Sequence, residues 1–217
     1  CVIDGSYYHF DGSGYMQTGW LNLGGTWYYL SSSGIMQTGW QKIGGSWYWF
    51  DDSGAMASGW RVIDGSYYYF DGSGVMQTGW LSTGGTWYYL FSSGAMATGW
   101  QTIGGARYHF DGSGAMATGW HVVDGSYYYF DGSGAMQTGW LNTGGAWYWL
   151  GDSGVMATGW QTIDGAKYWF DGSGAMATGW KWIDGSCYYF DGSGAMQTDK
   201  QIDGSYVDSD GRWVQNA

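Results

Sequence analysis

Apolar and polar positions alternate along this chain in short bursts. In Thr18-Gly-Trp-Leu-Asn-Leu-Gly-Gly-Thr-Trp-Tyr-Tyr-Leu30, two aromatic or aliphatic runs flank a two-residue Gly-Gly step. Elsewhere the step is Asp-Gly, as at Asp64-Gly65. Such a step between two β-prone runs predicts a hairpin closed by a type I′ turn, because both central residues of that turn need positive φ. Counting outward from the turn pairs Leu23 with Thr26, Asn22 with Trp27, Leu21 with Tyr28 and Trp20 with Tyr29. Strand side chains alternate between faces. Trp20, Trp27 and Tyr29 therefore share one face with polar Asn22, which is read as an open groove. Leu21, Leu23, Tyr28 and Leu30 share the other, which is assigned mainly to packing.

The burst repeats every 20 residues without insertion or deletion up to about residue 198. Trp ends nine rows, from Trp20 to Trp180, and all ten methionines fall four places earlier in their rows, from Met16 to Met196. Between hairpins lie Gly-rich connectors of the Asp-Gly-Ser-Gly type. An isolated hairpin is marginal in water, so each must bury an apolar face on its neighbours. The expected fold is all-β: a repetitive β-hairpin solenoid. A 60-residue super-period underlies the 20-residue one. Rows one, four, seven and ten carry Asp-Gly-Ser turns, rows two, five and eight begin with Leu, and rows three, six and nine begin with Gln. A screw of about three hairpins per superhelical turn explains this, and a recent triplication without structural meaning is the alternative. Residues 1–198 are read as the repeat array and 199–217 as a degenerate C-terminal capping repeat.

Composition narrows the function. The 217 residues include 43 glycines and no proline, 21% are aromatic and only 12% charged. All 18 acidic groups are Asp, against seven Lys and Arg, for a formal charge of −11. That sign argues against a nucleic-acid partner, and no apolar run is long enough for a membrane span. The chain opens without Met and inside a repeat, so a longer parent protein is expected. Cys1 and Cys187 lie about nine repeats apart, too far for a disulfide in an extended array. No catalytic constellation is visible. Each Asp-Gly recurs where a turn needs it, His9, His109 and His121 are scattered substitutions, and nothing has metal-ligand spacing. Neither a catalytic residue, a metal nor a cofactor is expected, and the array is read as non-enzymatic, with a catalytic domain outside it left open. Methionine at the sixteenth position suits a packed junction or a pocket wall, and packing is favoured.

Gly-Trp-Gln-Lys-Ile-Gly-Gly-Ser-Trp-Tyr-Trp-Phe50, followed by Ser-Gly-Ala-Met-Ala-Ser-Gly-Trp60, resembles the choline-binding or cell-wall-binding repeats of Gram-positive surface proteins and phage lysins. Related repeats occur in glucan-binding domains and clostridial toxins, and Gly-Trp-Gln-Thr-Ile-Asp-Gly-Ala-Lys-Tyr168 is similar to the toxin version. The resemblance implies a left-handed solenoid in which choline sits between successive hairpins, walled by two aromatics of one and a third of the next. A trimethylammonium head gains from ring faces and needs no hydrogen bond. Carried onto this chain, the walls are Trp20, Trp27 and Tyr48; Trp80, Trp87 and Tyr108; Trp140, Trp147 and Tyr168; and, as a fourth set, Trp40, Trp47 and Tyr68. Arg107, Lys167 and Cys187 replace a wall residue, and those three sites are expected to be empty. Sites in the Leu-initial rows would recur along one side about every 30 Å if hairpins stack as one continuous ladder at roughly 4.8 Å per strand. A row of weak sites suits a repetitive polymer through avidity.

The function implied is attachment to choline-bearing teichoic acid or a similar cell-wall glycan, by a protein secreted to the cell wall or surface of a Gram-positive bacterium or its phage. A structural or adhesive filament, with self-association, and a module binding glucan or host oligosaccharide are the alternatives.

Overall fold

A computed structural model describes residues 1–214. The described chain is entirely strand, turn and connector, without helix. Strands of five residues recur in pairs, such as Gly19–Leu23 with Thr26–Leu30 and Gly139–Thr143 with Ala146–Leu150. The register is the one counted from the turn: Leu23 faces Thr26, Asn22 faces Trp27, Leu21 faces Tyr28 and Trp20 faces Tyr29. The turns have the positive φ that type I′ demands, 50° at Asp64 and 79° at Gly65. Asp tolerates this region because its short polar side chain bonds locally.

Each hairpin is its own two-stranded sheet, and the last is a three-stranded one made of Lys200–Ile202, Ser205–Val207 and Trp213–Val214. Neighbouring hairpins do not continue a ladder edge to edge, so strand spacing does not set the rise expected above. They meet through faces. The Trp20 ring packs against Tyr48 and Phe50 of the next hairpin, with centroids 4.8 and 5.9 Å away. Side-chain volume rather than hydrogen-bond geometry therefore sets their separation. The connectors supply the backbone bonds between hairpins: the amide of Met56 donates to the Trp27 carbonyl at 2.9 Å, and that of Ala57 to the Trp49 carbonyl at 2.8 Å.

The most deeply buried column of the core is the last residue of each five-residue second strand, flanked by buried residues such as Ala57, Ile63, Ala177 and Ile183. Leu30, Phe50, Phe70, Leu90, Phe110, Phe130, Leu150, Phe170 and Phe190 are all at most 2% exposed. The position next to the turn is buried in inner hairpins, as at Ile63, Val123, Ile163 and Ile183. Leu30 is buried, but Leu23 near the turn is 43% exposed, beyond the reach of the short strands Val2–Ile3 and Ser6–Tyr7 that precede it.

The chain divides into two compact units, one of residues 1–101 and 110–116, the other of residues 102–109 and 117–217. Each is a solenoid of stacked hairpins. Within each, the connector after a given hairpin lies over the hairpin two places earlier. Gly72 and Ser73 reach Trp20 and Trp27 in the first unit, and Gly192 and Ser193 reach Trp140 and Trp147 in the second. A chain that returns over a hairpin on its way to the third one further on is what about three hairpins per turn requires.

Candidate functional site: aromatic cups between hairpins

Hairpin 19–30 sets Trp20 and Trp27 on one face through register. The residues are diagonal across the two strands, and their rings stand edge to face, with centroids 6.3 Å apart at 85°. Tyr48 from the next hairpin closes the third side against Trp20. Met56 and the connector residues Gly72 and Ser73 complete a cavity of about 460 Å³. The same construction recurs at Trp140, Trp147, Tyr168, Met176, Gly192 and Ser193, where the cavity is about 450 Å³. There the Trp pair stands 6.3 Å apart at 84°, and Tyr168 lies 4.9 Å from Trp140. Both cups stay open to solvent, as Trp27 and Trp147 are 44% and 45% exposed.

Trp40, Trp47 and Tyr68 form a third cup with Met76, Ser92 and Ser93, of about 410 Å³. It differs in one respect: Lys42, the cross-strand partner of Trp47, places its ammonium 5.8 Å from the centre of the Trp47 ring. Where Lys42 stands, hairpin 19–30 has Asn22, which accepts a bond from the Gly25 amide. Trp80 and Trp87 repeat the edge-to-face corner at 6.4 Å and 82°, with the Met116 amide bonded to the Trp87 carbonyl. Tyr108, expected as their third wall, belongs to the second unit.

The cup floor was not fully foreseen. Methionine, favoured as packing, does both jobs. Its sulfur lies so close to the glycine of a later connector that a Cβ at Gly74 would collide with Met56, and one at Gly194 with Met176. That glycine, at φ of 82° and 84° in the two cups, holds the thioether against the cavity. Ser73 and Ser193 were not anticipated either. Their loops are braced by Asp71 and Asp191, whose Oδ1 accepts from the serine amide and hydroxyl and from the amide two residues on. Oδ2 accepts from the Gln77 or Gln197 side chain. Asp191 is held below the usual carboxylate range chiefly by the Ser193 hydroxyl, against the opposing effect of desolvation, and then by the amides and Lys200. In Asp71 desolvation is the largest influence and pushes upward, but the combined bonds from Ser73 and the loop amides outweigh it. A signal was available in the pairing of Asp with a Gln six residues later, which marks rows one, four, seven and ten.

Rings at three sides, a polarizable floor and no charged group lining the cavity provide attraction for a positive charge without a hydrogen bond to anchor it. The geometry of the Trp20 and Trp140 cups thus suits small organic cations, the chemistry of a cation-binding repeat protein. Comparison with known proteins agrees. A family model for choline-binding repeats matches residues 18–59, 37–73, 57–98, 97–136, 117–158 and 157–201, and one for cell wall binding repeats matches 3–16. No curated protein sequence matches the chain. Among solved structures, it is similar to CbpJ from Streptococcus pneumoniae TIGR4, with 34% identity and a TM-score of 0.84 over 99% of this chain and 92% of that one. It is also similar to choline binding protein F of S. pneumoniae, solved with a peptidoglycan analogue, with 34% identity and a TM-score of 0.81 over 98% and 91%. The choline-binding domain of CbpL from S. pneumoniae matches at 32% identity and a TM-score of 0.61, over 83% and 99%. The chain belongs to the choline-binding repeat family, and it is a non-catalytic, choline-binding module of the cell-wall-binding kind.

Proposed function

We propose that this module attaches its parent protein to choline-bearing teichoic acid, or a closely similar polymer, at the surface of a Gram-positive bacterium or in a phage lysin that acts there. The observation that carries the reading is the pair of uncharged aromatic cups at Trp20, Trp27, Tyr48 and at Trp140, Trp147, Tyr168, each with a methionine floor. Trp80 and Trp87 are assigned the same role. Trp40, Trp47 and Tyr68 make a weaker site, because the Lys42 ammonium already lies beside one wall. Ring contacts of roughly 0.5–2 kcal/mol each, less the cost of ordering the ligand, suit single-site affinities on the order of millimolar. Repeated sites on one chain then convert weak binding to a polymer into firm attachment.

The segment from 199 onward acts as the closing cap of the array. Supporting this, its three-stranded sheet sets Arg212 in a β-bridge with Tyr188 of the last full hairpin.

Titrating intrinsic Trp fluorescence with choline, with a soluble glucan as control, tests the reading. A saturable response to choline, reduced by Trp27→Ala and by Trp147→Ala, is expected. A response to the glucan alone would replace it with sugar binding through the same rings.

A further inference from the structure

One cup in the second unit has the opposite electrostatics. Trp160 and Tyr188 stand 4.9 Å apart, as Trp140 and Tyr168 do, and Met196 lies beneath them. The second wall, however, is Lys167, and the connector residues above are Asp210 and Arg212 in place of glycine and serine. These residues, with Gln161 and Thr162, enclose about 280 Å³. Arg212 Nη1 donates to the Asp210 carboxylate at 3.1 Å and the guanidinium also interacts with the Tyr188 hydroxyl, which leaves the rest of its five N–H donors for a ligand. The Lys167 carbonyl accepts from the Met196 amide at 2.8 Å, and the Lys167 ammonium has no ion-pair or hydrogen-bond partner among the described residues. Two cations and one carboxylate line the cup, with Asp208 behind Arg212, inside a protein of charge −11.

We propose that this cup is a second kind of ligand site, one that takes a sugar bearing a phosphate ester. The sugar ring stacks on Trp160, as rings with apolar C–H faces do on indole. The phosphate is met by Lys167 from one side and by the Arg212 fork from the other, the two side chains whose charge and donor geometry suit phosphate. Gln161, Thr162 and Asp210 are placed to bond sugar hydroxyls. A quaternary ammonium is repelled by both cations, so the site is separate from the choline cups and stands or falls independently of them. In a polymer that carries both choline and sugar phosphate, the two kinds of cup would read different parts of the same chain.

The test is calorimetric titration of the full chain with glucose 1-phosphate, glucose and inorganic phosphate at about 0.15 M salt, where the distant negative charges are screened beyond roughly 8 Å. Saturable binding of glucose 1-phosphate is expected, with glucose and inorganic phosphate each at least about fivefold weaker, because charge-assisted bonds and ring stacking act together. Lys167→Gln and Arg212→Gln should each weaken it by about fivefold or more. Far-UV circular dichroism and a separate choline titration of the same variants report folding. No saturable binding of glucose 1-phosphate to a folded wild-type chain overturns the proposal, as does binding unaffected in both variants. Inorganic phosphate binding as tightly as the ester overturns the sugar component. If choline fails to bind while the ester binds, the attachment reading falls and this one stands.

Discussion

Hairpins 139–150 and 159–170 are successive copies of one unit, share a register, and build cups on the same face. Their Trp–Tyr contacts have the same spacing, 4.9 Å. What differs is one wall residue, Trp147 against Lys167, and the connector that arrives from two hairpins further on, Gly192-Ser193 against Asp210 and Arg212. One cup suits a cation and its neighbour repels one. The repeat therefore separates shape from specificity. Backbone and core column are held constant by the buried Leu150 and Phe170, while two exposed positions choose the sign of the ligand.

The strongest way to break the comparison is to remove the wall. Trp147→Ala should abolish choline binding at its cup and lower the choline stoichiometry of the chain by one in calorimetry. The melting temperature should change little, because Trp147 is 45% exposed. The converse, Lys167→Trp, should add one equivalent of choline and remove sugar-phosphate binding. If neither stoichiometry changes, the cups are not defined by that wall.

Gly194→Ala attacks the floor instead. The new methyl meets the Met176 thioether at a backbone φ of 84°, a conformation costly for any residue with a Cβ. A loss of about 1–3 kcal/mol in denaturant unfolding is expected, together with weaker choline binding as Met176 is driven into the cavity.

Acid should act on the connectors of both cup types. Asp51, Asp71, Asp131, Asp171 and Asp191 are all held below the usual carboxylate range in the folded state. A lowered folded pKa contributes stability that is complete above the unfolded value of about 3.9 and disappears as pH falls through the folded value. Choline binding should thus be level from about pH 8 to 5, and stability should drop below about pH 4, in circular dichroism and fluorescence alike. The smallest effect is expected from Lys42→Asn, which gives hairpin 39–50 the residue of hairpin 19–30. Removing an exposed cation 5.8 Å from the Trp47 ring should raise choline affinity at that cup by roughly two- to fivefold, the range of a weak exposed charge interaction. Titration in a Trp27→Ala, Trp87→Ala, Trp147→Ala background isolates it.

Much of this was legible from local rules. Hairpin register follows from Asp-Gly and Gly-Gly turns, because type I′ geometry leaves no freedom in how Trp20, Tyr29, Trp27 and Asn22 align. The Trp pairs follow from register, since residues diagonal across a hairpin must share a face. Tyr48, Tyr68 and Tyr168 were harder. Their place beside the preceding Trp depends on how one hairpin lies on the next, and it came from family resemblance rather than from the residues. Lys42 went unremarked because its approach to Trp47 is a matter of side-chain direction on a shared face. The connectors over the cups were out of reach altogether. Ser73 lies some fifty residues from Trp20 in sequence, and nothing local says that the winding brings them together.

By itself, the sequence determined the repeating unit, its turns, its strand pairing and the faces on which aromatic residues stand, because each rests on φ preferences and two-residue alternation within a dozen positions. Only the tertiary structure decided which connector roofs which cup, that hairpins meet by faces instead of edges, and that Lys167 shares a cavity with Arg212. Those facts depend on the pitch of the winding, which is set by the volumes of buried Leu and Phe side chains packed between hairpins and is written in no single repeat.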